Sequence, residues 1–167
     1  SSDLALDAGV HSVEHGWFID EECIDRMVEQ GTWWVPTLAL VPLSVERRKA
    51  DPQWSSQQMG QEDTKDTEIN ERMKNEQVLI WREAVRRGVK IAMGTDQSHR
   101  LMVGENMVEL EFMVEQLGMS PMEVLVASTS RAAECIERPD VGALEAGRLA
   151  DVLVVDGNPA EDVRVLQ

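Results

Sequence analysis

The stretch RRGVKIAMGTD (residues 86–96) decides the fold class. Gly88 is predicted to end a helix, because glycine readily takes the left-handed conformation that closes helices. A short apolar strand follows it, and the carboxylate of Asp96 comes where that strand ends. The same order of helix, glycine and strand occurs around Gly9 and Gly31. Strands that alternate with helices indicate βα units and an α/β fold with a parallel sheet.

Three short strands are predicted after these glycines: Ser12–Glu14, Trp33–Val35 and Lys90–Met93. The adjacent tryptophans of the second strand, Trp33 and Trp34, must face opposite sides of the sheet, because successive side chains alternate along a strand. Three such units fit either an open doubly wound sheet or part of a barrel. Periodicity alone does not choose between the two.

Helices are predicted between and after the strands. Asp20 and Ser120 have the residue types that cap helix starts, and Ser120 belongs to the capping box SPME (120–123) with proline at the first helical position. The predicted helices are 20–30, 61–87, 105–117 and 120–136, and the segment 47–60 is interpreted as an irregular excursion.

Composition limits the classes of partner. The 167 residues include 31 acidic and 16 basic side chains, which gives a net charge of -15. Such a surface repels phosphate backbones and anionic lipid, so nucleic acid and membrane are not expected partners. The two cysteines, Cys23 and Cys135, lack the spacing of a disulfide framework or a zinc knuckle.

His15 and Asp96 each follow a predicted strand. In parallel α/β folds, groups at the carboxyl ends of strands converge on the ligand site. A neutral imidazole and a carboxylate are suitable zinc ligands, and the carboxylate could also take a proton from metal-bound water. The alternative for each residue is structural: a hydrogen-bonded histidine at a strand end, and an aspartate that caps a loop or a helix.

Three separated segments carry a family resemblance: AGVHSVEHG (8–16), GVKIAMGTD (88–96), and the ending from SPME (120–123) to GRLAD (147–151). Together they resemble the amidohydrolase superfamily, in its imidazolonepropionase-like and Xaa-Pro dipeptidase (prolidase)-like branch. Their order and spacing match that pattern, and WVPTL (34–38) fits strand seven between them. The resemblance covers nearly the whole chain.

The resemblance implies a (β/α)8 barrel beside a small β-sandwich. By this pattern, residues 1–138 supply part of the barrel, with strands six, seven and eight, and residues 139–167 supply a strand segment of the sandwich. A complete barrel needs ~250 residues, so the chain is expected to be a C-terminal fragment that lacks most metal ligands. The β-branched stretch 150–156 is predicted as an edge strand whose partner lies upstream.

The resemblance also assigns a site. It makes His15 and Asp96 metal ligands, and it makes Asp96 the catalytic group that moves the proton of the attacking water to the leaving amine. One or two divalent ions are implied, with zinc expected. His99 and Arg100, in the loop after Asp96, are candidate substrate contacts, since a guanidinium binds carboxylates well. His11 precedes its strand and does not occupy a ligand position.

The expected function is metal-dependent hydrolysis of C–N bonds in dipeptides or N-acyl amino acids, with this chain inactive alone. Three alternatives stay open: hydrolysis of cyclic amides, a non-catalytic half-barrel that completes a split enzyme, and an unrelated small α/β binding domain. The implied partner is a small amide or dipeptide, and the full-length enzyme is expected to be a homo-oligomer. A cytoplasmic location is favoured, with a signal peptide left open because the N terminus looks missing.

Overall fold

The computed structural model describes residues 2–51, 63–97 and 103–167. Its strands are β1 (Ser12–Glu14), β2 (Trp33–Val35) and β3 (Lys90–Ile91). Its helices are α1 (Ser2–Asp7), α2 (Glu21–Gln30), α3 (Leu40–Ala50), α4 (Asp63–Arg72), α5 (Val78–Arg86), α6 (Val108–Leu117), α7 (Pro121–Ser128) and α8 (Ser130–Cys135). A π-helical turn (Met73–Gln77) joins α4 to α5, and a 3-10 turn (Val163–Leu166) lies near the C terminus. No helix in these ranges has both the length and the apolar character needed to cross a membrane.

The three strands form one parallel sheet in the order β1-β2-β3. Val13 lies beside Trp34, and Trp34 lies beside Ile91. The backbone pairing continues past the strand ends, since the N–H of His15 donates to the carbonyl of Val35 at 2.9 Å. The predicted βα units and parallel sheet are therefore confirmed, and the carboxyl ends of all three strands lie at one edge.

Local rules explain how two of the helices begin. The Asp20 side chain accepts the N–H of Cys23 at 2.9 Å, and Gly31 closes the same helix, α2, with a left-handed φ of 68°. Ser120 and Glu123 form the reciprocal capping box at the start of α7. Both predicted caps are confirmed, because each depends only on residues within one helical turn.

The core lies between the sheet and the helices. Trp34 and Trp81 are both fully buried, with ring centroids 6.4 Å apart. Trp33 faces the other side of the sheet, where it packs with Val35 and Ala92 in a separate buried cluster. The two adjacent tryptophans therefore face opposite sides, as predicted. Each buries an aromatic surface worth roughly 4–6 kcal/mol of transfer free energy.

Helix α3 corrects part of one prediction. The segment 47–60 was predicted to be an irregular excursion, but α3 continues through Ala50, so that prediction is wrong for residues 47–50. The end of α3 reads ERRKA, which consists of good helix formers. Asp51 is extended, with φ -139° and ψ 96°, which is the conformation that a following proline favours. Residues 52–60 lie outside the described part of the chain.

Three predicted helices have different bounds in the structure. The helix predicted over 61–87 is observed as α4, the π-helical turn and α5, with its first two residues outside the described part. The helix predicted over 105–117 begins at Val108. The helix predicted over 120–136 is interrupted at Thr129, whose φ of -122° and ψ of -92° are not helical. The Thr129 hydroxyl donates to a backbone carbonyl of α7 at 2.6 Å.

The segment 150–156, predicted as an edge strand, does not belong to the three-stranded sheet. Its apolar side chains are open to solvent: Val152 is 65% exposed, Leu153 69% and Val154 89%. A contiguous exposed apolar stretch commonly marks a surface that another element covers. A strand partner from another part of the full protein stays a prediction.

Candidate active site at the carboxyl ends of the strands

The three strands each lead to a residue with a left-handed backbone. His15 follows β1 with φ 61°, Thr37 follows β2 with φ 49°, and Asp96 follows β3 with φ 46°. Positive φ is uncommon outside glycine, and it is especially unfavourable for a β-branched residue. In the described ranges, the only other non-glycine residue with positive φ is Glu137. Such strain clusters at functional sites in proteins, so this edge of the sheet is the first place to look for chemistry.

The side chains of these three residues meet. The Nδ1 atom of His15 lies 2.6 Å from the Thr37 hydroxyl oxygen, which is a short hydrogen bond. The other ring nitrogen of His15, Nε2, lies 3.8 Å from Oδ2 of Asp96. The structure therefore brings His15 and Asp96 together at one point, from two outer strands that do not pair with each other.

The pair remains accessible from outside. The side chains of His15 and Asp96 are 41% and 58% exposed, whereas Thr37 is buried. The Trp17 ring packs against the imidazole, with ring centroids 5.1 Å apart. The histidine is thus held on its Nδ1 side and along one face, while its Nε2 side is open toward Asp96.

Buried tryptophans hold the turn at His15. The indole Nε1 of Trp34 donates to the carbonyl of His15 at 2.8 Å. The next residue, Gly16, has φ 56°, and a Cβ built on it would lie 3.0 Å from the same indole nitrogen and 3.2 Å from Cγ1 of Val13. A side chain does not fit there without displacing its neighbours, so this turn requires glycine.

Two further indole hydrogen bonds connect the loops around the site. Trp17 donates from Nε1 to the carbonyl of Pro36 at 2.8 Å, and Trp81 donates from Nε1 to the carbonyl of Trp17 at 3.0 Å. Helix α5 is thereby linked to the loop after β1, and that loop is linked to the loop after β2. Buried indole N–H groups normally find such partners.

The loop after β2 is hydrogen-bonded to a buried carboxyl group. Glu109, on α6, is fully buried, and its two oxygens accept the backbone N–H groups of Leu38 at 2.7 Å and Ala39 at 2.8 Å. Burial raises the pKa of Glu109 to about 8, although the two hydrogen bonds act in the opposite direction. These bonds fix the residues that come directly after Thr37.

Neither Thr37 nor Glu109 was identified from the sequence. Glu109 lies one helical turn before Met113, which belongs to the buried stripe of α6 with Leu110 and Leu117. That i,i+4 spacing could have placed Glu109 on the buried face, but glutamate is almost never fully buried without a partner. The partners of Glu109 are backbone groups about 70 positions away, which no local pattern reveals.

Two of the predicted site residues are not tested by geometry. His99 and Arg100 lie outside the described residues. His11 makes its contact through Nε2 with the carbonyl of Cys135 at 2.9 Å. This places it away from the pair formed by His15 and Asp96.

The described ranges contain one group of three ligand-type side chains, Asp3, Asp20 and Cys23, which is separate from the strand ends. The Cys23 thiol donates to Asp3 at 2.9 Å, and burial, reinforced by this hydrogen bond, raises its pKa to about 12. Asp20 already serves as the cap of α2. A protonated buried thiol and a helix cap are a structural arrangement, because a metal requires the thiolate.

The distance between Nε2 of His15 and Oδ2 of Asp96 suits two side chains that ligate a divalent ion. Two ligand atoms ~2.0–2.1 Å from a tetrahedral zinc ion are separated by ~3.4 Å, close to the observed 3.8 Å. Across the described ranges, no third histidine, cysteine or carboxylate joins these two in a group of three. Catalytic zinc usually has three protein ligands, so this pair would supply part of a coordination sphere.

Known proteins resemble this chain over part or nearly all of its length. Ochratoxinase from Aspergillus niger is 30% identical over 168 residues, which cover 98% of this chain and 32% of that protein. Imidazolonepropionase from Pyrobaculum arsenaticum is 35% identical over 68 residues, which cover 41% of this chain and 17% of that protein. The chain therefore spans about a third of the length of the ochratoxinase.

Solved structures resemble it as well. A crystal structure of a Xaa-Pro dipeptidase with bound methionine superposes with a TM-score of 0.82 at 35% identity, over 99% of this chain and 38% of that one. A putative prolidase from Bifidobacterium longum gives a TM-score of 0.76 at 30% identity, over 99% of this chain and 40% of that one. The sequence model of the amidohydrolase family matches residues 3–167. This chain therefore belongs to the amidohydrolase family of enzymes.

Proposed function

We propose that this chain supplies strands six, seven and eight of a (β/α)8 barrel in a metal-dependent hydrolase of amide or peptide bonds. Residues 1–138 would belong to the barrel and residues 139–167 to a small β-sandwich. The parallel order β1-β2-β3 agrees with three successive barrel strands. The similarity to a Xaa-Pro dipeptidase over 99% of the chain supports the same arrangement.

The observation that carries the proposal is the meeting of Nε2 of His15 and Oδ2 of Asp96, 3.8 Å apart, at the carboxyl edge of the sheet. A divalent ion bound there, with zinc expected, would supply Lewis-acid activation of water. His15 would hold it through Nε2, and Asp96 through a carboxylate oxygen. Asp96 would also take a proton from the attacking water and pass it to the leaving amine.

The proposed substrates are dipeptides or N-acyl amino acids. The solved Xaa-Pro dipeptidase and the putative prolidase favour this class over other amides. His99 and Arg100 remain candidates for substrate contact, since a guanidinium binds carboxylates well. We expect the full enzyme to be a homo-oligomer.

A second candidate function is hydrolysis of a cyclic amide. The similarity to imidazolonepropionase, at 35% identity over 68 residues, favours it. A third is a half-barrel without activity of its own that completes a split enzyme, since among the described residues no third ligand-type side chain groups with His15 and Asp96. The 167-residue chain tested alone is expected to show no turnover in any of these cases.

The test is the substitution Asp96→Asn in the complete protein that carries this chain. With zinc added, kcat/KM on a panel of Xaa-Pro dipeptides, N-acyl amino acids and cyclic amides should fall about 10²–10⁴-fold, the usual contribution of a general acid–base group. The control is Glu29→Gln, an exposed carboxylate near the end of α2, which should leave the rate unchanged. Far-UV circular dichroism should be the same for both variants.

Two results would contradict the proposal. Normal turnover by the Asp96→Asn protein would remove Asp96 from its catalytic role. No hydrolysis of any amide on the panel by the zinc-loaded wild-type protein would refute the hydrolase itself. The preferred member of the panel decides between dipeptide and cyclic amide substrates.

A further inference from the structure

The histidine at the candidate active site, His15, is hydrogen-bonded through Nδ1 to a buried threonine hydroxyl. Oγ1 of Thr37 lies 2.6 Å from Nδ1 of His15, and Thr37 is 2% exposed. The bond joins residues 22 positions apart that follow neighbouring strands. The buried hydroxyl is therefore directed at the ring and not at solvent.

The hydrogen bond at Nδ1 affects whether Nε2 carries the ring proton or keeps a free lone pair. A neutral imidazole carries one proton, and the Thr37 hydroxyl can either accept from a protonated Nδ1 or donate to an unprotonated Nδ1. If Nδ1 donates to the hydroxyl oxygen of Thr37, Nε2 of His15 keeps its lone pair. That lone pair then points to the side where Asp96 lies 3.8 Å away.

Thr37 is held in place despite an unfavourable backbone. Its φ of 49° is unusual for a β-branched residue, so neighbouring contacts must maintain it. On one side, Trp17 donates to the carbonyl of Pro36 at 2.8 Å. On the other side, the carboxylate of Glu109 accepts the N–H groups of residues 38–39. The hydroxyl is thus fixed from both directions along the chain.

We propose that Thr37 is a positioning residue that keeps His15 as its Nδ1–H tautomer and leaves Nε2 free to bind a metal ion on the side where Asp96 lies. Ligating histidines commonly donate their other N–H to such an acceptor. The consequence for zinc rests on the proposed function, whereas the tautomer of His15 is a property of this chain's own residues. Thr37 itself does not contact the substrate.

The test compares Thr37→Val, which removes the hydroxyl at nearly constant shape, with Thr37→Ser, which keeps the hydroxyl. The complete protein carrying this chain is labelled with ¹⁵N-histidine and studied by long-range ¹H–¹⁵N correlation. The pH is kept well above the ordinary imidazole pKa of ~6.5. A His15→Gln variant assigns the His15 signals. The wild-type and Thr37→Ser proteins should show a protonated Nδ1 and an unprotonated Nε2, and Thr37→Val should show a mixture of tautomers.

Zinc affinity is the second measurement, by competition with a chromophoric chelator. Loss of an outer partner of a ligating histidine typically weakens metal binding by about 10–100-fold. We expect that loss for Thr37→Val and wild-type affinity for Thr37→Ser. If Thr37→Val does not fold, the wild-type spectrum still decides, because a protonated Nε2 on His15 would overturn the proposal.

The two hypotheses can fail separately. Nδ1–H on His15 that depends on the Thr37 hydroxyl, in a protein that hydrolyses no amide, would support the positioning role and refute the hydrolase. Zinc-dependent hydrolysis in a protein whose Thr37→Val and Thr37→Ser variants share one tautomer and one zinc affinity would support the hydrolase and refute the positioning role.

Discussion

Replacing Glu109 with glutamine should change how the stability of this protein depends on pH. Glu109 is fully buried and receives two backbone N–H groups, one on each oxygen of its carboxyl group. Glutamine has one oxygen to accept with, so its NH2 group would face the second backbone N–H. The variant therefore loses one hydrogen bond and leaves a buried donor unpaired, which costs about 1–3 kcal/mol.

The wild-type protein carries a different cost at higher pH. Burial raises the pKa of Glu109 from 4.5 to about 8, so the folded protein keeps a proton that the unfolded chain releases. Its contribution to stability is complete below about pH 4.5 and falls as the pH rises toward about 8, by up to ~1.4 kcal/mol per pH unit. Between about pH 4.5 and pH 8 the wild-type protein therefore loses up to about 5 kcal/mol of stability. Glutamine does not titrate, so the Glu109→Gln protein does not lose stability in this way.

The two effects have opposite signs, so the stability curves should cross. Near pH 5 the wild-type protein has already lost about 1 kcal/mol of this contribution, so it should be the more stable by up to about 2 kcal/mol. The loss in the wild-type protein cancels this advantage near about pH 6, and above that Glu109→Gln should be the more stable. The free energy of unfolding is measured by urea titration from about pH 5 to 8.5, followed by the fluorescence of the buried tryptophans.

Glu123→Gln is the matched control. Glu123 accepts from Ser120 at the start of α7, and these hydrogen bonds lower its pKa. A lowered carboxyl pKa affects stability only as the pH falls below the ordinary value of about 4.5. The difference between wild-type and Glu123→Gln should therefore be constant across the titrated range. A constant difference for Glu109→Gln as well would refute the argument that its buried carboxyl binds a proton on folding.

Two further predictions concern packing and thiol chemistry. Gly94→Ala should lower stability by about 1–3 kcal/mol, typical of an overpacked site, because its Cβ would lie 2.5 Å from Cγ1 of Val35. Thermal melts should show that adding Val35→Ala restores part of the lost stability. No restoration would contradict the assigned clash. Alkylation at about pH 8 should modify the half-buried Cys135 before the buried Cys23, since the Cys23 pKa is raised to about 12. Peptide mass mapping measures the order of modification. Faster modification of Cys23 would refute its assigned environment.

Features that depend on neighbouring residues could be predicted from the sequence. The caps at Asp20 and Ser120 require contacts within three positions, and both form as expected. The parallel sheet follows from repeated helix, glycine and strand units. The interruption at Thr129 was missed although Ser128, Thr129 and Ser130 are residue types that favour helix caps over helix interiors.

The candidate site divides in the same way. His15 and Asp96 were identified because they follow predicted strands and lie in motifs typical of a known superfamily, and the structure places their side chains 3.8 Å apart. Their roles as metal ligands remain predictions. Thr37 and Glu109 were missed because their partners lie 22 and about 70 positions away. Only the folded backbone brings such residues into contact.

The geometry of the pair is set by this chain's core. The left-handed turn at His15 is held by the indole of Trp34, which is fully buried against Trp81. The turn at Thr37 is held by the buried Glu109. Strain of this kind persists only where surrounding contacts over-determine it. Orientation of the imidazole is therefore built into residues of this chain, while completion of a coordination sphere needs ligands beyond the pair that the described residues provide.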